Sequence, residues 1–102
     1  MMSNMKAVEL VNRRFPVAED AAASIVIWQV PRSVSGSTHS YKYRLAYVVD
    51  EVCVLRYDNE AGKGDHRHWG KVETAYRFVN TDRLLKDFLK DIARWNHENR
   101  NS

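Results

Sequence analysis

The chain has 102 residues, of which 44% are hydrophobic, and a formal net charge of +3. This length holds one domain with a modest core, so residues 1–102 are predicted to form a single domain. The one cysteine, Cys53, excludes an intrachain disulfide, and the longest mostly apolar run, residues 21–28, is too short to cross a bilayer. We therefore expect a cytoplasmic protein without membrane insertion, whose mild positive charge favours contact with a polyanion.

Two segments near the beginning of the chain have the composition of β-strands. Residues 6–15 mix β-branched and charged side chains and predict a first strand. Residues 21–30 are too apolar for a fully exposed strand, which predicts a central strand with Trp28 in the core. The serine-rich residues 33–40 that follow are typical of a surface loop.

A β-hairpin is predicted in the middle of the chain. Residues 41–50 alternate between large apolar or aromatic side chains and smaller or charged ones, which is the pattern of a half-buried strand. Asp50 and Glu51 can form a short turn into a second strand over residues 52–57, although neither of them is glycine. The two segments are therefore expected to pair antiparallel.

The first strand of this hairpin interleaves cations with aromatic residues. Lys42 and Arg44 stand next to tyrosines, a pattern that could follow a phosphate backbone and offer rings for base stacking. The same alternation occurs in any strand with one solvated face, so both interpretations stay open. In a simple register Arg44 and Arg56 reach the same side of the hairpin, which predicts a cationic patch beside the next segment.

The last part of the chain combines a polar segment with a helix. Residues 58–70 contain closely spaced glycines and many charges and predict an exposed loop, and residues 76–79 predict one more short strand. Residues 80–97 repeat apolar side chains at helical spacing and predict an amphipathic helix, followed by a polar tail over residues 98–102. The predicted fold is α+β: an antiparallel sheet of about four to five strands, mainly within residues 6–79, with one C-terminal helix packed on it.

The densest chemistry lies in Asp-His-Arg-His at residues 65–68. In an extended segment His66 and His68 face the same way, so that one could act as general base and the other as general acid near neutral pH. Lys63 or Arg67 could then stabilise charge on a phosphoryl transition state. RNA cleavage through attack by the 2′-hydroxyl needs these three roles and no metal.

Two other interpretations of this segment compete with catalysis. It could be a solvated polar loop whose histidines make local hydrogen bonds. His66 and His68 could also ligate zinc or another transition ion, with Asp58, Asp65 or His39 completing the shell. Because the chain has no second cysteine and no helical His-Glu-x-x-His arrangement, neither a metal nor any other cofactor is predicted.

One string of the sequence is specific enough to compare with a known family. It is Gly-Lys-Gly-Asp-His-Arg-His at residues 62–68. The strings that accompany it along the chain are residues 36–45, 57–68, 76–78 and 85–88. In this order, over residues 24–95, they closely resemble the TumE family of bacterial toxins. The resemblance points to a signature of Lys63, Asp65, His66, Arg67 and His68, with Tyr57 and Asp58 leading into it.

The resemblance also implies a biological role and a partner. TumE proteins are the toxin half of two-gene, type II toxin-antitoxin modules, and their usual partner is a helix-turn-helix antitoxin protein. The chain is therefore expected to harm the growth of its host unless the antitoxin covers it. The resemblance itself assigns no catalytic mechanism.

These features lead to one leading hypothesis and two rivals. The leading hypothesis is a toxin that acts on RNA as a metal-independent ribonuclease. The rivals are a non-enzymatic toxin that engages RNA, the ribosome or a protein target through the same basic segment, and a binding module that complexes the antitoxin and helps to repress their shared promoter. Trp69 is the tryptophan expected at a surface or partner contact, and the oligomeric state stays open, a homodimer included. The predicted catalytic residues are His66, His68, Lys63, Arg67 and Tyr57. The predicted binding residues are Arg44, Lys42, Arg56, Asp58, Asp65 and Trp69.

Overall fold

Six β-strands followed by one α-helix make up the computed structural model, which describes residues 6–60 and 62–100. In chain order the elements are β1 (Val8–Ala18), β2 (Ala21–Gln29), β3 (Tyr41–Val49), β4 (Val52–Asp58), β5 (His66–Trp69), β6 (Val72–Ala75) and α1 (Thr81–Asn99). Each strand pairs antiparallel with the next one in the sequence, so the sheet is a meander in the order β1 to β6. The predicted α+β class is confirmed, but the sheet has six strands where four to five were predicted.

β1 and β2 form one end of the sheet. β1 is an edge strand, a position that tolerates Pro16 because proline has no N–H to donate. In β2 alternate residues are buried and those between them are half-buried. The predicted position of this strand inside the sheet is confirmed, but only one of its faces is fully covered. Trp28 lies on the other face and does not belong to the core cluster, so its prediction as a core residue is wrong.

The hairpin of β3 and β4 has the predicted two-residue turn. Val49 pairs with Val52, and both turn residues between them have positive φ, 50° at Asp50 and 66° at Glu51. This left-handed conformation at both central positions matches the right-handed twist of the flanking strands. The Asp50 N–H also donates to the carbonyl oxygen of Asp20 at 2.9 Å. The prediction is therefore confirmed even though no glycine relieves the turn.

A second hairpin, formed by β5 and β6, includes the last part of the segment that was predicted as an exposed loop over residues 58–70. Asp58 of β4 pairs with His66 of β5, and both are only 5% exposed. The described residues between β4 and β5 form no strand, so the predicted loop is confirmed there. It is wrong over His66–Trp69, where a backbone ladder and ion pairs hold a polar strand that no alternation of apolar residues marks. The short strand predicted over residues 76–79 is also absent, and β6 ends just before it, at Ala75.

The C-terminal helix α1 is confirmed. Asn80 is its N-cap, and the Asn80 side chain accepts a hydrogen bond from the Arg83 N–H at 2.8 Å. The helix ends at Asn99, two residues later than predicted, so part of the predicted polar tail is helical, and residues 101 and 102 lie outside the described residues. Among the described residues no helix is long and apolar enough to span a bilayer.

The two faces of the sheet have different surroundings. α1 packs on one of them, here called the helix face, through its buried residues Leu84, Phe88 and Ile92. The buried apolar residues that the sheet contributes to this core are Ala21, Ala23, Ile25, Ile27, Tyr43, Leu45, Tyr47, Val49, Leu55 and Tyr57. Side chains that point the other way, on the open face, follow from the strand register. The open face includes Trp28, Lys42, Arg44, Arg56, Asp58, His66, His68 and Glu73. The chemistry described next lies there.

Candidate functional site

Three neighbouring strands bring a cluster of ionisable side chains together on the open face. In register, His66 of β5 faces Asp58 of β4, and His68 lies between Arg56 of β4 and Glu73 of β6. The His66 Nε2 atom lies 3.1 Å from Asp58 Oδ1 and 3.2 Å from Glu73 Oε2. The two imidazole rings are 5.1 Å apart between centroids. The expectation that both histidines face the same way therefore holds.

Acceptor groups surround both ring nitrogens of His66. Nδ1 lies 2.9 Å from the carbonyl oxygen of Gly64, which can only accept a hydrogen bond. Nε2 faces the carboxylates of Asp58 and Glu73, which are also acceptors when ionised. Nδ1 therefore carries a hydrogen that it donates to Gly64, and Nε2 lies within 3.2 Å of two carboxylates. At 5% exposure the ring lies just below the surface.

A donor group lies beside His68. Its Nε2 atom lies 2.9 Å from Nη2 of Arg56, and because a guanidinium only donates, Nε2 must be an acceptor without hydrogen. Partial burial and then the positive charge of Arg56 lower the pKa of His68 below its ordinary value of 6.5, although Glu73, 3.5 Å away, partly opposes this. A His68 ring that accepts at Nε2 thus stands next to a His66 ring that donates from Nδ1.

Lys63 adds an exposed cation at the rim of this cluster. Its Nζ atom lies 3.3 Å from Glu73 Oε2, and its side chain remains 63% exposed. Beside it is a shallow cleft of about 280 Å³, lined by Lys63, Asp65, His66, Glu73, Thr74 and Ala75. The cleft gives access to the edge of the His66 ring from solvent.

A metal ion is the other chemistry that these residues could support. Ligand atoms of Asp58, His66 and His68 all lie within 4.8 Å of one another. The guanidinium of Arg56, however, already contacts two of the three residues: Nη2 donates to His68, and Nε lies 2.6 Å from Asp58 Oδ2 as an ion pair without hydrogen-bond geometry. A metal ion here would have to displace Arg56 or be repelled by it. The donor set therefore fits a metal poorly in this arrangement.

Comparison with known proteins gives one match. Residues 6–96 match the sequence model of a family described as Toxin TumE. This chain belongs to the TumE toxin family. Membership makes it a relative of toxins and implies a cognate antitoxin as its partner. No curated protein and no solved structure matches the chain.

In this TumE-family protein two of the predicted catalytic residues lie on the helix face, away from the histidines. Arg67 Nε lies 2.6 Å from Asp91 Oδ2 of α1, and the Tyr57 hydroxyl donates to the same oxygen at 2.7 Å. Burial and the hydrogen bond to Asp91 raise the pKa of Tyr57 well above its ordinary value. Alternation along β5 thus separates Arg67 from His66 and His68, and the strand brings Arg67 to the helix.

Asp65 of the TumE-family signature anchors the segment between β4 and β5. Its carboxylate accepts hydrogen bonds from the Tyr43 hydroxyl at 2.6 Å, His39 Nε2 at 2.8 Å and the Ser37 hydroxyl at 3.1 Å. Burial and the bond to Asp65 raise the pKa of Tyr43, which keeps its proton available for donation. Asp65 therefore fixes the chain immediately before His66.

Two glycines bring the neighbouring loops of the TumE-family protein into backbone contact. Gly36 has φ +88° and Gly64 has φ +90°. A Cβ on Gly64 would lie 2.8 Å from the carbonyl oxygen of Gly36, and one on Gly36 would lie 2.9 Å from Gly64 Cα. Only glycine fits this approach, which holds the Gly64 carbonyl where it accepts from His66.

Trp69, expected at a partner contact, packs against the core on the helix face. The guanidinium carbons of Arg67 and Arg94 lie 5.3 Å and 4.5 Å from its ring centroid. These cation-π contacts and the helix leave it half-buried. Trp69 therefore belongs to the sheet-helix interface of this TumE-family protein.

The remaining cations of the prediction, Lys42 and Arg44, do lie on the open face. Both are exposed, and neither forms an ion pair with any of the described residues. Arg44 and Arg56 share this face, as predicted, because they pair with Asp58 and Ala46 in the same ladder. Positively charged side chains of β3 and β4 therefore lie on the same face as the histidines.

Sequence reasoning missed Glu73, which contacts three of the predicted residues in this TumE-family protein. Its carboxylate lies within 3.5 Å of Lys63, His66 and His68. Residues 71–75 resemble the family less closely than their neighbours, so no role was drawn from them. The available signal was local: a glycine at 70 between two short polar segments is typical of a hairpin turn, and it would have placed Glu73 opposite His68.

Proposed function

We propose that this TumE-family protein acts as the toxin of a toxin-antitoxin pair by cleaving RNA without a metal ion. Cleavage by the neighbouring 2′-hydroxyl needs a base for the hydroxyl proton, an acid for the leaving oxygen and a cation near the phosphate. The observation that carries the proposal is the pair of imidazoles on one face, with His68 accepting at Nε2, His66 donating from Nδ1 and ring centroids 5.1 Å apart.

In this mechanism His68 is the general base and His66 the general acid. His68 takes the proton of the 2′-hydroxyl while the 2′-oxygen forms a bond to phosphorus. The bond from phosphorus to the 5′-oxygen breaks, and His66 donates its Nε2 proton to that oxygen. The products are a 2′,3′-cyclic phosphate and a 5′-hydroxyl, and water then restores the protons of the two histidines. Transfers of this kind contribute a factor of about 10² to 10⁴ in rate.

Arg56 and Lys63 supply the positive charge for the phosphate. Arg56 keeps His68 unprotonated in the free protein, and its guanidinium can turn to a phosphate oxygen when RNA arrives, which frees Nε2 to act as base. Lys63 is exposed at the rim of the cleft and is held beside the histidines by Glu73. Glu73 has a positioning role, because its carboxylate contacts Lys63, His66 and His68.

The presence of Arg56 within the cluster is also what favours a mechanism without metal. Its guanidinium supplies the cation that a metal ion would otherwise supply, and it engages both Asp58 and His68. We further propose, from the family's usual partner, that the antitoxin is a helix-turn-helix protein. By covering the open face or its rim, such a partner would block access of RNA to His66 and His68.

The proposal is tested by expression in a host that lacks the antitoxin. Wild type, the double variant His66→Ala/His68→Ala, and the control His97→Ala are induced while growth and total RNA integrity are followed together. His97 is an exposed histidine in the last turn of α1, remote in the sequence and outside the cluster. We expect growth arrest with RNA fragmentation in the wild type and in the His97 variant, and normal growth with intact RNA in the double variant.

A different result would support a toxin that only binds. If the wild type and the double variant both arrest growth and all RNA stays intact, the histidines have no catalytic role and the ribonuclease proposal fails. If none of the proteins arrests growth, the proposed toxicity itself fails, and a module that only binds its antitoxin remains.

A further inference from the structure

Trp28 is the large aromatic residue of the sheet that the core does not use. It is half-buried on the open face, where it pairs in register with Lys42 of β3 and Glu9 of β1. Neither the buried core nor the partly buried residues packed against it include Trp28. Tyr41 and Tyr43, which flank Lys42 in the sequence, point to the helix face. A flat ring is therefore left beside exposed cations.

The strand register connects Trp28 with the histidine cluster. Lys42 is the cross-strand neighbour of Trp28, and Arg44, two residues along β3, pairs with Asp58, which pairs with His66. Adjacent strands lie about 4.8 Å apart, so β2 and β5 are separated by about 14 Å across the sheet. The exposed side chains of Lys42 and Arg44 lie within that distance, and neither has an ion-pair partner among the described residues.

We propose that this part of the open face binds single-stranded RNA, with one base stacked on Trp28 and the adjoining phosphates held by Lys42 and Arg44. The inference rests on the proposed ribonuclease function and names its substrate class. A single strand is required because bases in a duplex are already stacked on one another and are not available to an aromatic side chain. The cations lead the strand from Trp28 to His66 and His68.

Charge and apolar surface on the two faces favour RNA over a protein at this place. Beside Trp28 the open face carries Lys42 and Arg44, and a stacking ring next to exposed cations is the composition of a single-strand binding surface. Two of the most exposed aliphatic residues, which a protein partner would cover, lie on the helix face. Val52 and Val72 are 59% and 62% exposed, and their register partners, Val49 and Trp69, belong to the helix face.

The test measures binding separately from cleavage. The probe is a fluorescent RNA oligonucleotide with 2′-O-methyl groups throughout, which the proposed chemistry cannot cleave, titrated with the purified full chain. We expect Trp28→Ala to raise Kd about tenfold, within the range found when a stacking residue is truncated, and Trp28→Phe to stay near the wild type because it keeps a stacking ring. A duplex of the same sequence should bind more weakly than the single strand.

A charge variant supplies a second readout that does not depend on Trp28. Lys42→Glu should weaken binding and reduce the slope of log K against log salt by about 0.7, the value for one phosphate contact on a single strand. The matched control is Lys86→Glu, which makes the same change of charge at an exposed position of α1 and should keep the wild-type slope.

The possible results separate this inference from the ribonuclease proposal. If RNA is never cleaved but Trp28→Ala and Lys42→Glu still weaken binding of the probe, the surface stands and the catalytic proposal falls. If cleavage depends on His66 and His68 while both variants bind the probe like the wild type, or if duplex binds as tightly as single strand, the inference is overturned. Protection of Trp28 by the antitoxin alone, without any binding of the probe, would also overturn it.

Discussion

Neighbouring residues of β5 have opposite surroundings. His66 and His68 lie on the open face among Arg56 and carboxylates, whereas Arg67 and Trp69 lie under α1. The neighbours of the two histidines determine which ring nitrogen carries a proton. Arg67 and Trp69 are held by an ion pair and by ring contacts that join the sheet to the helix. Alternation along the strand therefore divides residues 66–69 into two sets. His66 and His68 are available for chemistry, and Arg67 and Trp69 stabilise the fold.

The largest expected effect is on the open face. His68→Ala removes the proposed base, so the rate of RNA cleavage should fall by a factor of about 10² to 10⁴. The free energy of unfolding should change little, because His68 is half-buried and lies on the open face, opposite to the core. Single-turnover cleavage and chemical denaturation of the same protein measure both. If His68→Ala lowers the free energy of unfolding but leaves the cleavage rate unchanged, the open face stabilises the fold and His68 is not the base.

The next largest effect is expected where two loops touch. Gly36→Ala would place a Cβ against the backbone of Gly64 in a left-handed conformation, at a cost of about 2 kcal/mol or more in the free energy of unfolding. Gly62→Ala is the matched control, because Gly62 also has positive φ but no atom within 4 Å of its Cβ position. Only the Gly36 variant should also slow cleavage, since it displaces the carbonyl that holds His66. Equal effects of both variants would show that the loop contact does not position the site.

A smaller effect, confined to stability, is expected on the helix face. Arg67→Ala leaves the Asp91 carboxylate with Tyr57 as its remaining partner and should lower the free energy of unfolding by about 2 kcal/mol. The control Arg83→Ala removes an exposed i,i+4 ion pair with Asp87 and should cost at most about 1 kcal/mol. Denaturant titrations measure these values. A fall in cleavage rate for Arg67→Ala at a temperature where it is fully folded would restore Arg67 to the catalytic residues.

The smallest effect is a displacement of the pH profile. Because the pKa of His68 is lowered below 6.5, by partial burial first and by Arg56 second, the base stays neutral at pH 7 and cleavage should fall only as the pH drops below 6.5. Arg56→Gln removes the second cause and should move this acidic limb to higher pH. The groups that face His68 are Arg56, Glu73, His66 and Asp58. An acidic limb that does not move would exclude His68 as the base.

Local patterns were sufficient to predict most of the fold. The hairpin of β3 and β4 follows from alternation over residues 41–50 and from a turn whose position the polar pair Asp50 and Glu51 marks. The helix follows from apolar spacing over residues 80–97 and from the cap at Asn80. Both signals are contained within a few adjacent residues, so they can be interpreted without knowledge of what packs against them.

The positions of Trp28 and Trp69, which are the reverse of those predicted, show what local sequence patterns do not determine. Trp28 stands in an apolar run and Trp69 in a charged one, which predicted the reverse of their positions. Alternation establishes that Trp28 lies opposite to Ile27, but not which of the two faces the helix covers. The face that is covered depends on α1, which is remote in the sequence. Trp69 lies on that face because it pairs with the buried Leu55 of β4.

The candidate site was predicted in part for the same reason. His66 and His68 were expected on one side of an extended segment, and this requires only the two-residue period of a strand. Arg67 could be separated from them only once the segment was known to be a strand with two different faces. Glu73 requires the pairing of β5 with β6, for which the glycine at 70 was the one local signal.

The most direct test of the central claim uses the purified protein and a defined single-stranded RNA in the presence of excess EDTA. The account predicts cleavage that leaves 2′,3′-cyclic phosphate and 5′-hydroxyl ends, and no cleavage by the His66→Ala/His68→Ala variant under the same conditions. Cleavage that appears only when a divalent metal is added, or that persists in the double variant, would contradict the assignment of the open-face histidines as acid and base.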